Sequence, residues 1–177
     1  MNLRAKISGL CIASAVVFTT VVVANARSPQ TDADSAIAAF SANCFSPRLS
    51  RSKANEVFGL ANVRYDFYDL DPFTSAAPTP ASVRPATPGT DRRCEVSFAG
   101  DHTEIAVGAV TSQLELEGLR EVVDLPGSHE SLRTSSTALL AARRLNHLKI
   151  AVVHVGTRPF ENGIETFLNV ERLRSPR

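Results

Sequence analysis

The chain has 177 residues, which suits one domain with a core of its own. Its 44% hydrophobic and 21% charged residues are ordinary for a globular protein, so disulfides are not expected to be its main support. The formal net charge is +1, and loss of the first 26 residues would leave 17 basic against 18 acidic side chains. This near-neutral charge argues against nucleic acid or an anionic membrane surface as the main partner.

Residues 1–26 predict a cleaved export signal. Two basic residues precede an apolar run from about Ile7 to Ala24, and Ala24-Asn25-Ala26 has the small-x-small pattern of a cleavage site. An uncleaved anchor is the alternative, since about 18 apolar residues nearly span a bilayer. We expect cleavage after Ala26, a periplasmic or secreted product, and no membrane contact afterwards.

The first part of the mature chain predicts two helices and a strand. Residues 27–33 are polar and are expected to form a flexible start. Apolar residues recur at helical spacing over 34–43 and again over about 50–61. The period then changes to two over 63–68, which predicts a strand.

A long proline-rich stretch separates this strand from the next one. Residues 71–91 hold five prolines and a glycine, so they are expected to form a surface loop. In 92–99, three apolar residues alternate with three polar ones, which predicts a strand buried on one face only. The apolar positions are Cys94, Val96 and Phe98, and the polar ones are Arg93, Glu95 and Ser97.

The cysteines fit this plan. Cys11 would leave with the export signal, and Cys44 and Cys94 would remain. Two cysteines in an exported chain predict one disulfide, and two free buried thiols are the alternative. A metal site is not expected from two thiols without CxxC spacing.

The second half predicts one helix and further strands. The predicted segments are a helix at 103–117, a strand at 119–125, a strand at 137–145, a central strand at 150–155, a hairpin loop from Gly156 to Gly163, a strand at 164–171 and a basic tail at 173–177. The segment 137–145 is ambiguous because its Ala and Leu also favour a helix. The strand, helix and strand over 92–125 are expected to form a compact unit.

Together these elements predict a single α+β domain over residues 34–172. We expect a mostly antiparallel sheet of five or six strands, two or three helices packed on one face, and one disulfide.

The candidate chemistry is sparse. Asp66, Asp69 and Asp71 have the odd spacing of calcium ligands but lack the other marks of a calcium loop, so turn capping is the favoured interpretation. The four histidines make no metal-binding pair, and no cofactor is expected. His154, on a predicted central strand, and His129, in a loop, are weak candidates for a catalytic acid or base.

The arginines are the candidate binding residues. The pairs Arg92-Arg93 and Arg143-Arg144, with Arg158 and Arg172, could frame an anion or carboxylate site, to which Arg93, Arg143 and Arg158 are the expected contributors. The alternative, which we favour, is cross-strand pairing of these arginines with glutamates. The glutamates in question are Glu95, Glu165 and Glu171.

Several short segments together resemble those of small exported alphaproteobacterial proteins of unknown function. The segments are Asn43-Cys44-Phe45, Asp66-Phe67-Tyr68-Asp69-Leu70, the run from Pro88 to Val96, and Val170-Glu171-Arg172. Such proteins sometimes carry the name succinyl-CoA synthetase subunit beta. That subunit resembles a longer cytoplasmic ATP-grasp protein, whereas this chain has no glycine-rich nucleotide loop.

The sequence therefore favours a non-enzymatic periplasmic protein, either a binding module or an envelope accessory factor. Its partner would be an envelope protein or a small ligand. The alternative is a small periplasmic hydrolase that uses His154 or His129 with a nearby carboxylate. An enzyme requires a histidine and an acid that converge at a pocket, whereas a binding module requires an exposed apolar or arginine-lined patch.

Overall fold

The computed structural model describes residues 29–61, 63–70, 87 and 89–174. The predicted export signal, most of the proline-rich loop with Asp71, and the last three residues lie outside them. The elements are α1 (Pro29–Asn43), α2 (Arg51–Ala61), β1 (Arg64–Asp69), β2 (Thr90–Ala99), α3 (Thr103–Leu116), β3 (Val122–Val123), α4 (Gly127–Glu130), β4 (Thr137–Arg144), β5 (Lys149–Phe160) and β6 (Gly163–Arg174).

The six strands form one sheet in the order β1-β2-β6-β5-β4-β3, and every pair of neighbours is antiparallel. The α+β prediction is confirmed. So is the strand over the ambiguous segment that became β4, and β5 is central as expected. Within the described residues, no helix has both the length and the hydropathy to cross a membrane.

The main core lies between the sheet and the three longer helices. α1 packs on β2, α2 on β1, and α3 on β5 and β4. The apolar residues of β2 meet Phe40 and Phe58 from the helices there, and all of them are buried. Cys44, just after α1, is bonded to Cys94 of β2 with a Cα–Cα distance of 5.4 Å, so the predicted disulfide is confirmed. It fixes the chain after α1 against the sheet.

The opposite face of the sheet is covered as well, which the alternation in β2 did not indicate. Arg93, Glu95 and Ser97 are almost as buried as the apolar residues between them. A small second core lies on this face, where Ile150 and Val152 pack near the segment that contains β3 and α4. The prediction of a strand buried on one face only was wrong, because paired charges can fill a buried layer without being left unsatisfied.

Two predicted boundaries also change. α1 begins at Pro29, inside the stretch expected to be flexible; proline suits a first helical position because that residue needs no hydrogen-bonded N–H. β6 continues to Arg174, so the start of the predicted basic tail belongs to the sheet.

The predicted hairpin loop from Gly156 to Gly163 is mostly strand. β5 and β6 each have 12 residues and pair as far as Phe160 and Gly163, so only two residues remain for the turn. Glu161 has φ 49°, the positive value that a two-residue hairpin turn requires. Gly156 is needed for space inside the strand, because a Cβ atom there would lie 2.6 Å from the Ser136 carbonyl oxygen.

The strand, helix and strand over 92–125 do not form a compact unit. β2 and β3 lie on opposite sides of β6, β5 and β4, and α3 crosses the sheet between them. β3 contains only Val122 and Val123. A two-residue edge strand exposes few unpaired backbone groups.

Candidate functional site

The strongest candidate site is built on a pair of arginines on the helix side of the sheet. In the pairing of β2 with β6, Arg92 lies directly opposite Arg172. Directly opposed residues share a face and hold their Cβ atoms about 5 Å apart, so two like charges there repel each other. The apolar residues Cys94 and Val170, also opposite each other, follow two positions along the strands on the same face.

Arg92 is fully engaged by its surroundings. Its guanidinium donates to the carbonyl oxygens of Ser46 at 2.9 Å and Pro47 at 3.2 Å, and it forms an ion pair with Asp69. The two carbonyls lie two and three residues after Cys44, so the Cys44–Cys94 disulfide holds them in place. Arg92 is thus a fixed positive charge in the wall of the site.

Arg172 is different, because none of the described carboxylates lies close to its charge. Its guanidinium donates to the Phe45 carbonyl oxygen, and no carboxylate of the described residues lies within ion-pair distance of it. Partial burial and repulsion by Arg92 lower its pKa to about 10, although the more distant Asp69 and Glu117 oppose the change. Arg172 therefore remains protonated at neutral pH, and the described part of the chain supplies no carboxylate in contact with its guanidinium.

These two arginines line a cavity of about 500 Å³. Lys149 also lines it, and its Nζ atom lies 3.3 Å from a carboxylate oxygen of Asp91. The complete lining consists of Pro47, Asp69, Leu70, Asp91, Arg92, Lys149 and Arg172. We call this cavity the Arg172 pocket; its size is that of a small-ligand site.

The arginines predicted to bind are mostly elsewhere. Arg93 and Arg158 lie on the opposite face of the sheet, where Arg93 pairs with Glu171 at 2.6 Å and Arg158 with Glu95 at 2.8 Å. The cross-strand pairing with glutamates, the alternative favoured from the sequence, is therefore present. Arg143 is on the helix side of the sheet, opposite Ala151, so the structure does not bring the three predicted residues together.

A buried polar network surrounds Glu171, whose side chain is 2% exposed. Its Oε1 atom accepts from Arg93 and Thr87, and its Oε2 atom accepts from Thr90 at 3.1 Å and His129 at 2.8 Å. Burial alone would raise the pKa of Glu171, but the hydrogen bonds from His129 and Arg93 and the charge of Arg93 lower it to about 2. This carboxylate is ionised in the folded protein at any pH well above 2.

His129, in α4, connects this network to the segment that covers this face of the sheet. Its ring is buried; Nε2 faces Glu171, and Nδ1 lies 2.9 Å from the Ser128 hydroxyl. Ser128, His129 and Glu171 are therefore connected in that order by hydrogen bonds. However, neither Ser128 nor His129 lines the Arg172 pocket, so the hydroxyl and the opposed arginines belong to separate parts of the structure.

Two of the other histidines, His154 and His102, have packing contacts, and His147 is exposed. His154 is buried on the same sheet face as Glu171, with Nε2 3.1 Å from the Thr137 hydroxyl and its ring edge-to-face with Phe167. His102 packs beside Phe98 at the start of α3.

The aspartates considered as calcium ligands do not share one site in the described part of the chain. Asp66 lies 3.3 Å from Arg93 on one face of the sheet, and Asp69 pairs with Arg92 on the other. Among the described residues, which exclude Asp71, no three acids, histidines or cysteines are grouped as metal ligands.

A second cavity, of about 290 Å³, lies over the other face of the sheet. Its charged lining is already matched internally, because Glu165 pairs with both Arg64 and Arg158, and Arg158 also pairs with Glu95. A ligand there would have to break these pairs, so this cavity is a weaker candidate than the Arg172 pocket.

Sequence reasoning named Arg92 and Arg172 but placed Arg172 just beyond the last predicted strand, which ended at residue 171. The signal that could have found the site is the strand alternation itself. Continued to these residues, the period of two puts Arg92 on the face of Cys94 and Arg172 on the face of Val170. A charged residue at a core-facing position is the informative observation.

Comparisons of the chain with protein-family models, with curated proteins and with solved structures found no match. The resemblance to small exported alphaproteobacterial proteins stays a prediction, and the function is inferred from the geometry of the Arg172 pocket.

Proposed function

We propose that this protein is a non-enzymatic binding module that takes up a small anionic ligand in the Arg172 pocket. The observation that carries the proposal is the pair of opposed arginines, of which Arg172 has no carboxylate partner among the described residues. A protein gains nothing in stability from such a pair, since like charges that face each other are destabilising. An anion bound between Arg172 and Lys149 would remove that cost.

The surroundings of the pocket support this role. The disulfide holds the loop whose carbonyls orient both guanidinium groups, so the donors are fixed before a ligand arrives. Donors that are already in position lose little entropy when a ligand binds. Hydrogen bonds from an arginine to an anion are also among the strongest that proteins make.

The test is an anion titration of the purified chain at constant ionic strength. Acetate, sulfate and phosphate are each added while chloride is reduced, and the thermal midpoint and the heat of binding are recorded. We expect at least one of these anions to raise the midpoint, because a ligand that binds only the folded state stabilises it. Arg172→Gln should abolish the increase.

The matched control is Arg133→Gln. Arg133 is an exposed arginine whose nearest carboxylate, Glu130, is 4.0 Å away, so its loss removes the same charge without touching the pocket. An equal response of both variants would refute the proposal, since it would show that the anions act only through the net charge of the protein.

A small hydrolase is the second candidate, favoured by the hydrogen-bonded sequence of Ser128, His129 and Glu171. In such an enzyme, His129 would take the proton of the attacking Ser128 hydroxyl. Glu171 is poorly suited to stabilise the resulting charge, because Arg93 already neutralises it. Labelling of Ser128 by a fluorophosphonate probe, lost in Ser128→Ala, would support the hydrolase over the binding module.

We also propose that the protein works after export, in the periplasm or outside the cell. The export signal predicted over residues 1–26 and the Cys44–Cys94 disulfide support this location, since disulfides persist in oxidising compartments. Intact mass of the protein recovered from the periplasm should give a chain that begins at Arg27, with thiols that react with an alkylating reagent only after reduction. A full-length chain with free thiols would refute export.

A further inference from the structure

The charge balance of the Arg172 pocket restricts the ligand that it can hold. Three cations line the pocket, Arg92, Lys149 and Arg172, together with two carboxylates, Asp69 and Asp91. The pocket therefore has one positive charge in excess. One negative charge on a ligand balances it, whereas a second would face the two resident carboxylates without a further cation.

The three cations are not equally available. Arg92 forms an ion pair with Asp69 and donates hydrogen bonds to two backbone carbonyls. Lys149 forms an ion pair with Asp91 at 3.3 Å. Arg172 uses one nitrogen for the Phe45 carbonyl, and no described residue engages its other nitrogens. Its planar group matches the two oxygens of a carboxylate, which an arginine can bind through two parallel hydrogen bonds.

The rest of the pocket suits a small organic body. Pro47 and Leu70 are the apolar residues that line it. Its volume of about 500 Å³ exceeds what a carboxylate alone would fill. The pocket therefore offers cations for the anionic group of a ligand and apolar residues for the rest of the ligand.

We propose that the ligand is a small organic monocarboxylate, with its carboxylate on Arg172 and its apolar body against Pro47 and Leu70. This inference rests on the proposed anion-binding function and specifies its ligand class. Inorganic phosphate and dicarboxylates are disfavoured because their second charge would approach Asp69 and Asp91.

The experiment measures binding of defined probes to the full purified chain by calorimetry at constant ionic strength. The probes are butyrate, hexanoate and benzoate, the neutral amide of each, the dicarboxylate succinate, and inorganic phosphate. We expect at least one monocarboxylate to bind about tenfold more tightly than succinate and phosphate, and its amide to show no binding. Arg172→Gln should weaken the monocarboxylate about 10- to 100-fold, which is the usual effect of losing a charged hydrogen bond.

A second variant tests the charge argument directly. Asp91→Asn removes one resident carboxylate and leaves the arginines in place, so succinate and phosphate should gain affinity relative to butyrate. This variant keeps the result interpretable even if Arg172→Gln changes the local fold.

The outcomes separate this inference from the function on which it rests. Succinate or phosphate binding as tightly as every monocarboxylate, with loss in Arg172→Gln, overturns the ligand class and keeps an anion-binding pocket. Equal binding of an acid and its amide also overturns the ligand class. Absence of binding by every anion, or binding that Arg172→Gln leaves unchanged, overturns both.

Discussion

Replacement of Glu171 by glutamine tests whether the buried polar network stabilises the fold. Glu171 accepts hydrogen bonds from Arg93, Thr87, Thr90 and His129, and its pKa lies at about 2 instead of 4.5. That difference corresponds to ~3 kcal/mol in favour of the folded, ionised form. Glu171→Gln keeps the size of the side chain but leaves Arg93 with Asp66 as its remaining carboxylate partner, so we expect a loss of about 3 kcal/mol at pH 7.

The pH dependence follows from the direction of the pKa change. Because the pKa of Glu171 is lower in the folded state than in the unfolded state, its contribution is fully present above about 4.5 and is lost as the pH falls through 2. Of the ~3 kcal/mol present at pH 7, about 2 kcal/mol should be gone at pH 3. The gap in stability between the wild type and Glu171→Gln should narrow by that amount.

The assay is urea unfolding of both proteins at pH 7 and pH 3, with the free energy of unfolding extrapolated to water. Glu130→Gln is the matched control, because Glu130 is an exposed glutamate near the same network and should change stability by less than about 0.5 kcal/mol. A loss below about 1 kcal/mol at pH 7, or a gap that does not depend on pH, would refute the assignment of stability to Glu171.

Three further predictions concern the disulfide, a glycine and the pocket arginine. Replacing Cys44 and Cys94 by alanine should cost up to ~4 kcal/mol in urea unfolding, since the bond spans 50 residues, and should also weaken anion binding; unchanged stability would contradict this. Gly156→Ala should destabilise by about 2 kcal/mol through the close backbone contact, whereas Gly59→Ala, in α2 with open space around it, should be neutral or stabilising in the same thermal melts. Arg172→Gln should leave the thermal midpoint of the ligand-free protein unchanged or raise it, because it removes an uncompensated charge; a clear drop would mean that Arg172 is there for stability.

Local patterns in the sequence determined most of the elements. Helical spacing of apolar residues gave α2 and α3 with boundaries close to the observed ones, because an amphipathic helix depends mainly on residues three and four positions apart. Alternation gave β1, β2 and β6 for the same kind of reason. The disulfide was also predictable, since the expected mature chain has only two cysteines.

The pairing of strands was not predictable from these patterns, and it decides the site. Alternation tells which residues share a face of one strand, but only the β2–β6 register puts Arg92 opposite Arg172. The predicted loop from Gly156 to Gly163 was too long, because Gly156 lies within β5, where the close approach of the Ser136 carbonyl requires a glycine.

The burial of the charged layer depended on the tertiary structure in the same way. Arg93 and Glu95 on an alternating strand indicate a solvated face when each residue is considered alone. They are buried here because Glu171 and Arg158, far along the chain, supply the opposite charges, and Asp66 is a further partner of Arg93. The sequence by itself determined which segments are helix and strand, since those depend on neighbours along the chain. Only the tertiary structure decided which charges neutralise each other, and that Arg172 faces Arg92 without a carboxylate partner among the described residues, because both depend on residues brought together by folding.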